Sequence, residues 1–342
     1  MTKQIVVVGL LLINMVRGLI SIITPCFNTG KYVSHLLDSI LNQSYKSVEM
    51  IVVDDGCTDN TKQVVLSYKK KFEDKGYSLK YIFQDNSGQS VALNRALKLV
   101  KGEYLLWPDS DDYYVDTNLF VKMVSALSGI DNNTSMVRCL PSFVNEEYIS
   151  TLHKVKNKSS ENLFEDCLFV QNGFWFPPIC YMARMSSIDS LIPNREIYTE
   201  KNAGQNWQIM LPLLYKKKCY TIPSFSVNIL ERKKSHSRGF FAGYERQIQK
   251  LDVYERTILS TLEGIIDMNY SEKNIYKAEI KYQYLQKRML IALQFNNKEG
   301  FDVFYAKLPL DRKNIKNRVM KILIHFPFGF VFYKVLSKFW KK

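Results

Sequence analysis

The residues best suited to chemistry in this 342-residue chain form an acidic turn at positions 109–112. Asp109, Asp111 and Asp112 carry carboxylates, and Ser110 lies between the first two. Carboxylates this close repel one another, so a protein keeps them when they are solvated or face cations. Mg²⁺ and Mn²⁺ prefer oxygen ligands, and Mg²⁺ commonly binds through one or two carboxylates plus substrate phosphates. Alone, the turn indicates either a divalent-metal site or an exposed acidic loop.

Short apolar runs precede this turn and two other polar segments. Each run has the length and composition of a buried strand. Amphipathic helix patterns separate the runs, with apolar residues repeating at i, i+3, i+4 and i+7. The predicted strands cover residues 19–23, 50–53, 80–83 and 104–107, and the predicted helices cover residues 33–41, 61–71 and 93–100.

This alternation of strands and helices predicts an α/β fold with βαβ units and a mostly parallel sheet. In such sheets, ligands bind beyond the carboxyl ends of the strands. Residues 24–28, 54–55 and 109–112 each directly follow a predicted strand. We therefore expect these three polar groups to line one cleft.

The rest of the chain divides by its regularity. Prolines punctuate the less regular stretch after residue 129, whereas residues 244–268 and 274–293 lack proline and are predicted to form long helices.

The apolar run from Ile5 to Ile13 is far shorter than the roughly 20 residues that span a bilayer. We expect either a natural start at Met15 or an extra surface segment. The predicted divisions are an N-terminal segment at 1–18, an α/β half at 19–128, a less regular half at 129–238 and a helical C-terminal extension at 239–342.

Positive charge is concentrated at the C-terminus. Residues 311–342 contain nine Lys or Arg and one Asp, which gives +8 of the net +14. The body is only mildly basic, which argues against a nucleic-acid partner. An apolar stripe and an opposite lysine face predict a terminal helix that lies on anionic lipid, and a helix docked on the protein's own body is the alternative. The stripe consists of Val331, Phe332, Val335, Leu336, Phe339 and Trp340.

The six cysteines are scattered and contain no C-x-x-C pair or zinc-type spacing. In a chain of this length, that pattern predicts reduced thiols in a cytosolic protein.

Four segments resemble, in order and at the expected intervals, the motifs of family 2 glycosyltransferases with the GT-A fold. The resemblance covers roughly residues 19–125. It implies a Rossmann-like nucleotide-sugar-binding half at 19–128 with a mostly parallel sheet and an acceptor-binding half at 129–238. A helical C-terminal extension follows here. It also implies a nucleotide-sugar donor, Mn²⁺ or Mg²⁺, and inversion at the anomeric carbon. The four segments are residues 21–28, 54–59, 86–90 with Asn94 and Arg95, and 109–112.

The resemblance also implies roles for individual residues. Pro25 and Phe27 would line the nucleobase pocket, Asp55 would bond the base, and Arg95 would help hold it. Asp109 would contact the ribose or the metal, and Asp111 or Asp112 would ligate the metal that bridges the phosphates. A basic loop with Arg232, His236 and Ser237 resembles one that closes over the diphosphate. The implied donor residues are Pro25, Phe27, Asn28, Asp54, Asp55, Gly88, Arg95, Asp109 and Ser110, and the implied metal ligands are Asp109 and Asp111.

For three of these assignments a simpler interpretation stays open. Asp54 is also suited to forming a turn through its own side chain. Arg95 is also compatible with an ordinary solvated helix position, and the loop around Arg232 with a solvated basic loop.

One departure concerns the catalytic base. Inverting relatives usually place a Glu-Asp pair before an aromatic residue at the start of a helix below the acceptor. The matching positions here are Gln205 and Asn206, and an amide cannot accept a proton at neutral pH. Glu200 is the first substitute, with Glu196 behind it, while Asn206 would position the acceptor. The catalytic candidates are therefore Glu200, Asn206 and Asp112, and an inactive protein is the alternative.

Taken together, these patterns predict an inverting transferase that moves a sugar from a nucleotide-diphosphate donor, with a UDP-sugar as first choice. The expected acceptor is a lipid-linked glycan or polysaccharide of capsule, O-antigen or exopolysaccharide. The expected location is cytoplasmic and peripheral on the inner face of a bacterial membrane. A catalytically impaired, membrane-associated partner protein is the first alternative. A sugar nucleotidyltransferase is less favoured, because residues 25–28 are not a Gly-rich, basic phosphate loop.

Overall fold

The protein is described here by a computed structural model covering residues 15–151, 161–202, 204–232 and 243–339. Residues 1–14 of the predicted N-terminal segment lie outside these ranges. Within them, the strands are β1 Val16–Cys26, β2 Val48–Asp55, β3 Ser78–Gln84, β4 Gly102–Leu106, β5 Tyr113–Tyr114, β6 Thr134–Asn145, β7 Ser150–Thr151, β8 Tyr181–Arg184 and β9 Lys218–Glu231. The α-helices are α1 Val33–Leu41, α2 Thr61–Ser67, α3 Lys69–Asp74, α4 Gln89–Leu97, α5 Leu119–Gly129, α6 Phe164–Phe169, α7 Met185–Leu191, α8 Asn206–Leu214, α9 Tyr244–Gly264, α10 Tyr270–Gln294, α11 Lys298–Ala306, α12 Ile315–Leu323 and α13 Gly329–Phe339.

These strands form one sheet in the order β3-β2-β1-β4-β8-β6-β9-β5, with β7 beside β6. The first four strands are all parallel: β1 pairs with β2 and β4, and β2 pairs with β3. Antiparallel β8 then joins β4 to β6, and β9 runs parallel to β6. The α/β fold predicted from the alternating pattern is confirmed, and the second half of the sheet is mixed.

The register of the parallel strands brings their carboxyl ends to one edge. Cys26 at the end of β1 pairs with Asp54 of β2, and Asp55 pairs with Gln84 at the end of β3. β4 ends at Leu106, which pairs with Ile22 of β1. Segments 24–28 and 54–55 therefore lie at the edge where the acidic turn also begins.

Two predicted elements differ from the observed ones. β1 does not stop at Ile23 but continues through Pro25, because β4 ends its pairing at Ile22 and leaves the rest of β1 bonded on one side only. A proline is tolerated there because no partner on the open side needs its missing N–H. The predicted helix at 61–71 is wrong as a single helix, because Tyr68 divides it into α2 and α3. Tyr68 has φ −84° and ψ −10°, and the break buries its ring together with Phe72.

Two hydrophobic cores hold the described residues together. The main core surrounds the sheet and extends to α9 and the first half of α10 through Ile258, Leu262, Ile280 and Tyr284. The C-terminal core begins in the second half of the same α10. It is formed by Met289, Ala292, Leu293, Phe301, Leu308, Met320, Ile324 and Tyr333. The two long helices predicted after residue 244 are confirmed as α9 and α10, and α10 belongs to both cores.

The last helix, α13, is docked on the C-terminal core and is also apolar on its outer side. Tyr333 is buried in that core and Phe330 packs against it. The predicted stripe residues Val331, Phe332, Val335 and Leu336 are exposed instead. The side chain of Phe339 and the whole of Trp340 lie outside the described residues. Across the described ranges, no helix combines the length and apolarity needed to cross a membrane.

Candidate functional site

A single carboxylate at the start of the acidic turn connects both halves of the protein. Asp109 Oδ1 accepts a hydrogen bond from Gln89 Nε2 at 2.7 Å and another from Gln205 Nε2 at 3.1 Å. Gln89 is the first residue of α4, and Gln205 immediately precedes α8. The acidic turn, the N-terminus of α4 and the N-terminus of α8 therefore meet at one point. We refer to this arrangement as the Asp109 clamp.

The three carboxylates of the turn have different surroundings. Burial, and then the charge of Asp111, raises the pKa of Asp109 to about 7, against the opposing effect of the Gln89 amide. Burial also raises the pKa of Asp112, whose Oδ1 accepts a hydrogen bond from the Leu230 backbone N–H at 3.0 Å. Burial therefore makes the unscreened negative charge costly and prepares the turn for a cation.

Asp111 is the carboxylate that already faces a positive charge. Arg232 Nε lies 2.7 Å from Asp111 Oδ2, and the guanidinium lies over the Tyr32 ring at 5.2 Å from its centroid. Burial raises the pKa of Asp111 more than the charge of Arg232 lowers it. The positive charge of Arg232 therefore does not fully offset the cost of burying the Asp111 carboxylate.

The carboxylates of the turn fit a divalent cation completed by phosphates. Among the described residues, no group of three or more His, Cys, Asp or Glu side chains is arranged to hold a metal alone. A cation bound by one or two carboxylates plus substrate phosphates does not need such a group. The guanidinium of Arg232 already places one positive charge against Asp111. The predicted ligands Asp109 and Asp111 thus have suitable donor chemistry, and their metal role stays a prediction.

Asp54 shapes the loop after β2. Its Oδ1 accepts a hydrogen bond from the Cys57 backbone N–H at 2.7 Å, and its Oδ2 accepts one from the Tyr81 hydroxyl. The residue is 1% exposed. These contacts match the turn-forming alternative, and the burial disfavours the direct donor contact predicted for Asp54.

Asp55 holds the loop that leads into α4. Its Oδ1 accepts hydrogen bonds from Gln84 Nε2 and from the Ser87 backbone N–H, both at 2.8 Å. Its Oδ2 accepts the Gly88 backbone N–H at 2.9 Å. Asp55 is buried, so the predicted contact with a base would be made beside these three bonds. The position of Gly88 is fixed in consequence.

Gly88 occupies a place that other residues cannot easily take. Its φ is +97°, and a Cβ atom there would lie 2.8 Å from the Lys201 carbonyl oxygen. The backbone of residue 201 thus packs directly on the entry to α4. The predicted donor residue Gly88 is therefore a point of close backbone contact between the two halves of the chain.

The segment after β1 contributes an exposed ring and a capping amide. Phe27 is 49% exposed, as a nucleobase-lining residue would be, whereas Pro25 is buried within β1. Asn28 Oδ1 accepts hydrogen bonds from the Thr58 and Asp59 backbone N–H groups at 2.8 and 3.3 Å. The Asn28 amide therefore supports the loop after β2 from below the exposed Phe27 ring.

All six cysteines are free thiols, as the scattered spacing predicted. Five are buried, and Cys57 is half-buried beside the Asn28 backbone, whose N–H donates to its sulfur at 3.2 Å.

Two further donor candidates lie on either side of the cleft edge. Arg95 is exposed on α4, and its Nη1 donates to the Phe83 carbonyl oxygen at 2.7 Å. This bond holds the guanidinium at the end of β3. Ser110 is buried and contacts the thiol of Cys26, so it joins the acidic turn to the end of β1.

Glu200 lies at the entry to α4 but is bound to another part of the molecule. Its backbone N–H donates to Ser90 Oγ at 3.2 Å. Its side chain Oε2 accepts hydrogen bonds from Nε and Nη2 of Arg256, both at 3.3 Å, so a helix of the C-terminal extension holds this carboxylate. Glu196, the second substitute, pairs with Lys98 at 3.6 Å on the surface. The base role of Glu200 stays a prediction.

The amides at the expected base positions have unused acceptors. Gln205 Oε1 and Asn206 Oδ1 are buried and make no hydrogen bond within the described structure. Trp207 follows them, with its ring 5.3 Å from those of both Phe176 and Tyr254. Buried carbonyl oxygens without donors are costly, so a ligand hydroxyl would be stabilised here. This is the position at which the sequence predicted Asn206 to hold the acceptor.

The diphosphate loop is described only in part. Arg232 contacts Asp111, so one of its three predicted residues does lie at the acidic turn. His236 and Ser237 lie outside the described residues.

Sequence reasoning missed the two glutamines of the Asp109 clamp as site residues. Gln89 belongs to the motif 86–90, and Gln205 is an amide at an expected acid position. Their spacing gives no signal, because they lie 20 and 96 positions from Asp109, and the contact of Gln205 depends on how α8 packs.

Comparisons with known proteins agree with this geometry. A family model described as glycosyl transferase family 2 matches residues 21–187. The uncharacterized glycosyltransferase RT0329 of Rickettsia typhi is 37% identical over 126 residues, which are 37% of each chain. The putative teichuronic acid biosynthesis glycosyltransferase TuaG of Bacillus subtilis is 40% identical over 96 residues, which are 28% of this chain and 37% of TuaG. The chain thus spans little more than a third of the length of these relatives.

Solved structures show the same fold. TarS of S. aureus, residues 1–349 with UDP-GlcNAc, aligns over 90% of this chain and 79% of that chain, with a TM-score of 0.58 and 19% identity. The mannosyltransferase PcManGT of Pyrobaculum calidifontis, with GDP-Man and Mn²⁺, aligns over 96% of this chain and 88% of its own, with a TM-score of 0.53 and 16% identity. At these identities the likeness establishes the fold.

Proposed function

Residues 21–187 form a glycosyl transferase family 2 domain of the GT-A type, and from this premise we propose that the chain transfers a sugar from a nucleotide-diphosphate donor to a glycan acceptor. The donor lies along the carboxyl ends of β1, β2 and β4. The acceptor lies over the start of α8. The observation that carries the proposal is the Asp109 clamp, because it brings the acidic turn and the start of α8 within hydrogen-bond distance of one carboxylate.

The proposed reaction is a single displacement with inversion. The acceptor hydroxyl oxygen attacks the anomeric carbon as the bond from that carbon to the diphosphate oxygen breaks. The nucleoside diphosphate leaves with the bonding electrons, and the hydroxyl proton passes to a base. Asp111 and Asp109 would hold Mn²⁺ or Mg²⁺, which would supply positive charge to the diphosphate. Arg232 contributes a fixed positive charge on the same side.

The proposed donor is a UDP-sugar. The related fold of TarS is known with UDP-GlcNAc, whereas PcManGT is known with GDP-Man, so the fold accommodates both nucleotides. Phe27 provides the exposed ring for the base, and Asp55 and Arg95 are the proposed polar contacts of the base.

The proposed acceptor is a lipid-linked glycan or a surface polysaccharide such as capsule, O-antigen or exopolysaccharide. The similarity to TuaG supports a bacterial surface polymer. The proposed location is cytoplasmic and peripheral on the inner face of the cell membrane.

Glu200 is the proposed base, and Asn206 positions the acceptor hydroxyl. A second function has its own observation: Gln205 and Asn206 occupy the expected acid positions with amides, as a catalytically impaired partner protein would. The ion pair between Glu200 and Arg256 fits either case. Measured turnover decides between them.

The test is calorimetric titration of the protein with UDP, GDP, CDP and dTDP, with and without Mn²⁺, followed by a transfer assay with the donor sugar of the nucleotide that binds. We expect UDP to bind tightly only with Mn²⁺. Asp111→Asn should abolish the metal-dependent part of this affinity, and Asp85→Asn, an exposed acid in a neighbouring loop, is the matched control. Binding without transfer supports the partner protein. Binding of no nucleotide contradicts the transferase and favours the partner protein.

A further inference from the structure

The outer side of α13 is an unusually apolar surface on a folded helix. Phe328, Val331, Phe332 and Val335 are 77%, 56%, 57% and 53% exposed. Val331, Phe332 and Val335 recur at spacings of three and four and share one face of the helix, and Phe328, with a φ of +62°, directly precedes it. Tyr333, on the opposite side, is buried in the C-terminal core. The burial of Tyr333 therefore keeps the exposed residues on the outer side of the helix.

The preceding helix α12 extends this surface. Ile315, Ile322 and Phe326 are 74%, 59% and 55% exposed and, with Arg318, follow one another at spacings of three and four. Met320 and Ile324 point the other way and are buried in the C-terminal core. Two consecutive helices thus turn apolar residues outward on the same end of the molecule.

Basic groups line a shallow groove along this surface. A cavity of about 480 Å³ is lined by Tyr305, Arg318, Lys321, Ile322, His325 and Phe326. The Nζ atoms of Lys321 and Lys313 lie 4.6 and 5.1 Å from the centroid of the Tyr305 ring. Arg318 Nε donates to the Lys313 carbonyl oxygen at 3.1 Å. Two lysines therefore lie against the Tyr305 ring, and Arg318 lines the same cavity as that ring.

The charge of the segment identifies the partner. Residues 312–342 contain nine Lys or Arg and no Asp or Glu. A second copy of this surface would bring like charges together, which opposes self-association. An anionic lipid surface offers the opposite charge and an apolar phase next to it. Exposed Phe, Val and Ile beside Lys and Arg match both layers of such a surface.

We propose that α12 and α13 form a peripheral membrane-binding surface, in which the groove around Arg318 and Lys321 takes the headgroup of an anionic phospholipid. The row from Phe328 to Val335 enters the boundary between headgroups and acyl chains. This surface is separate from the cleft at the acidic turn, and the inference does not depend on glycosyl transfer. The basic residues bind the headgroup and the apolar residues enter the lipid, so substitutions of each kind test one role at a time.

The experiment is sedimentation of the full chain with vesicles of phosphatidylcholine alone and with added phosphatidylglycerol. Arg318→Gln with Lys321→Gln should lower the partition onto phosphatidylglycerol vesicles by about tenfold, since each cation near the surface contributes to attraction. The same pair should leave weak binding to phosphatidylcholine unchanged. Phe332→Ser with Val335→Ser should lower binding to both vesicles by about tenfold.

Matched controls separate this surface from general charge and apolarity. Lys62→Gln with Lys69→Gln removes two exposed cations from α2 and α3, and Ile275→Ser removes an exposed apolar side chain from α10. Both should bind like the unaltered protein. Thermal unfolding of every variant checks that the fold is kept.

Three results would overturn the proposal. One is sedimentation of the Arg318→Gln, Lys321→Gln protein with phosphatidylglycerol vesicles at the unaltered level, which removes the headgroup role. The other is absence of vesicle binding together with a dimer in solution that Phe332→Ser dissociates, which makes the surface an interface between copies. Competition by inorganic phosphate without any vesicle binding would identify a free-phosphate site and contradict the membrane role.

Discussion

The protonation of Asp109 depends on contacts from several parts of the site. Its carboxylate receives two amide N–H groups from different helices while Asp111 lies two residues away. The amides stabilise its charge, whereas burial and the neighbouring carboxylate oppose it. The balance leaves this carboxyl able to change protonation near neutral pH, unless a cation is bound.

The first prediction concerns stability against pH in the absence of divalent cations. The pKa of Asp109 is about 7 in the folded protein and 3.8 in its ordinary state. The folded pKa of Asp109 is higher than its unfolded pKa, so its protonation stabilises the folded state. This stabilisation is fully present below about pH 4 and is lost as pH rises through 7. Asp109→Asn should therefore raise the free energy of unfolding at pH 8 by about 1 kcal/mol or more and change it little at pH 4.

The measurement is urea unfolding at both pH values with a chelator present. Asp85→Asn, an exposed carboxylate, serves as the control and should show no such difference. Equal effects of Asp109→Asn at pH 4 and pH 8 would contradict the prediction.

The second prediction separates a catalytic Glu200 from a structural one. Glu200→Gln removes the charge and keeps the shape, and Arg256→Gln removes its ion-pair partner. If Glu200 is the base, Glu200→Gln should lower kcat by about 100-fold or more at unchanged donor affinity. Arg256→Gln should lower it by far less. Similar small losses in both variants would assign the pair to structure alone.

The sequence supported the donor side of the site better than the acceptor side. Asp55, Gly88 and Asp109 occur in short motifs directly after strands, so their neighbourhood follows from sheet topology. The contact of Gln205 with Asp109 depends on how α8 packs, and local spacing carries no record of that. The donor contact predicted for Asp54 stays a prediction, and the burial that disfavours it is a property of the folded sheet that the motif does not show.

At the level of elements, the segment 197–201 is fastened to α4. Asn94 Nδ2 donates to the Ile197 carbonyl oxygen and Asn94 Oδ1 accepts the Ile197 N–H, both at 2.9 Å. Glu200 bonds Ser90, and the backbone of Lys201 covers Gly88. The proposed base is thus carried by a segment whose position is set by the donor-side helix.

The third prediction tests that fastening. Gly88→Ala places a Cβ atom 2.8 Å from the Lys201 carbonyl oxygen at a φ of +97°. We expect a loss of about 2–4 kcal/mol in the free energy of unfolding, from backbone strain plus displacement of the segment. Gly76→Ala has a φ of +79° but open space around it, so it should cost only about 1 kcal/mol.

Chemical denaturation measures both glycine variants. Donor affinity should fall for Gly88→Ala and stay unchanged for Gly76→Ala. Equal losses in stability and affinity for the two would show that strain alone, and not the contact with residue 201, is important.

Most strands and helices could be predicted from periodicity, and the exceptions have local causes. Pro25 ends a strand in most sequences, but here the neighbouring strand stops first and leaves its position unbonded on one side. Tyr68 interrupts a regular apolar pattern because two short helices bury Tyr68 and Phe72. Neither cause is visible without the partner element.

At the scale of the molecule, α10 joins two cores in one helix. Tyr284 is buried in the main core, and Met289 is buried in the C-terminal core. Arg288, between them in sequence, pairs with Asp252 and Glu255 of α9 at 2.6 Å. The C-terminal core is small, so we expect it to open at a lower free energy than the main core.

The fourth prediction follows from this division. Phe301→Ala empties a fully buried position in the C-terminal core and should cost about 3–5 kcal/mol there. Amide hydrogen exchange should accelerate in α11 to α13 while β1 and β2 keep their protection and nucleotide binding is retained. Phe72→Ala, fully buried in the main core, is the comparison and should weaken nucleotide binding as well. Identical exchange patterns for the two variants would contradict two separate cores.

The free cysteines of this chain should react slowly with electrophiles. A thiol reacts as its thiolate, and burial raises the pKa of Cys57, the only half-buried one, to about 11, while Cys26 and Cys219 reach about 12. At neutral pH only about one Cys57 side chain in ten thousand is a thiolate. A cysteine placed at an exposed position such as Val335 would therefore be labelled selectively by a maleimide dye, without first replacing the native thiols.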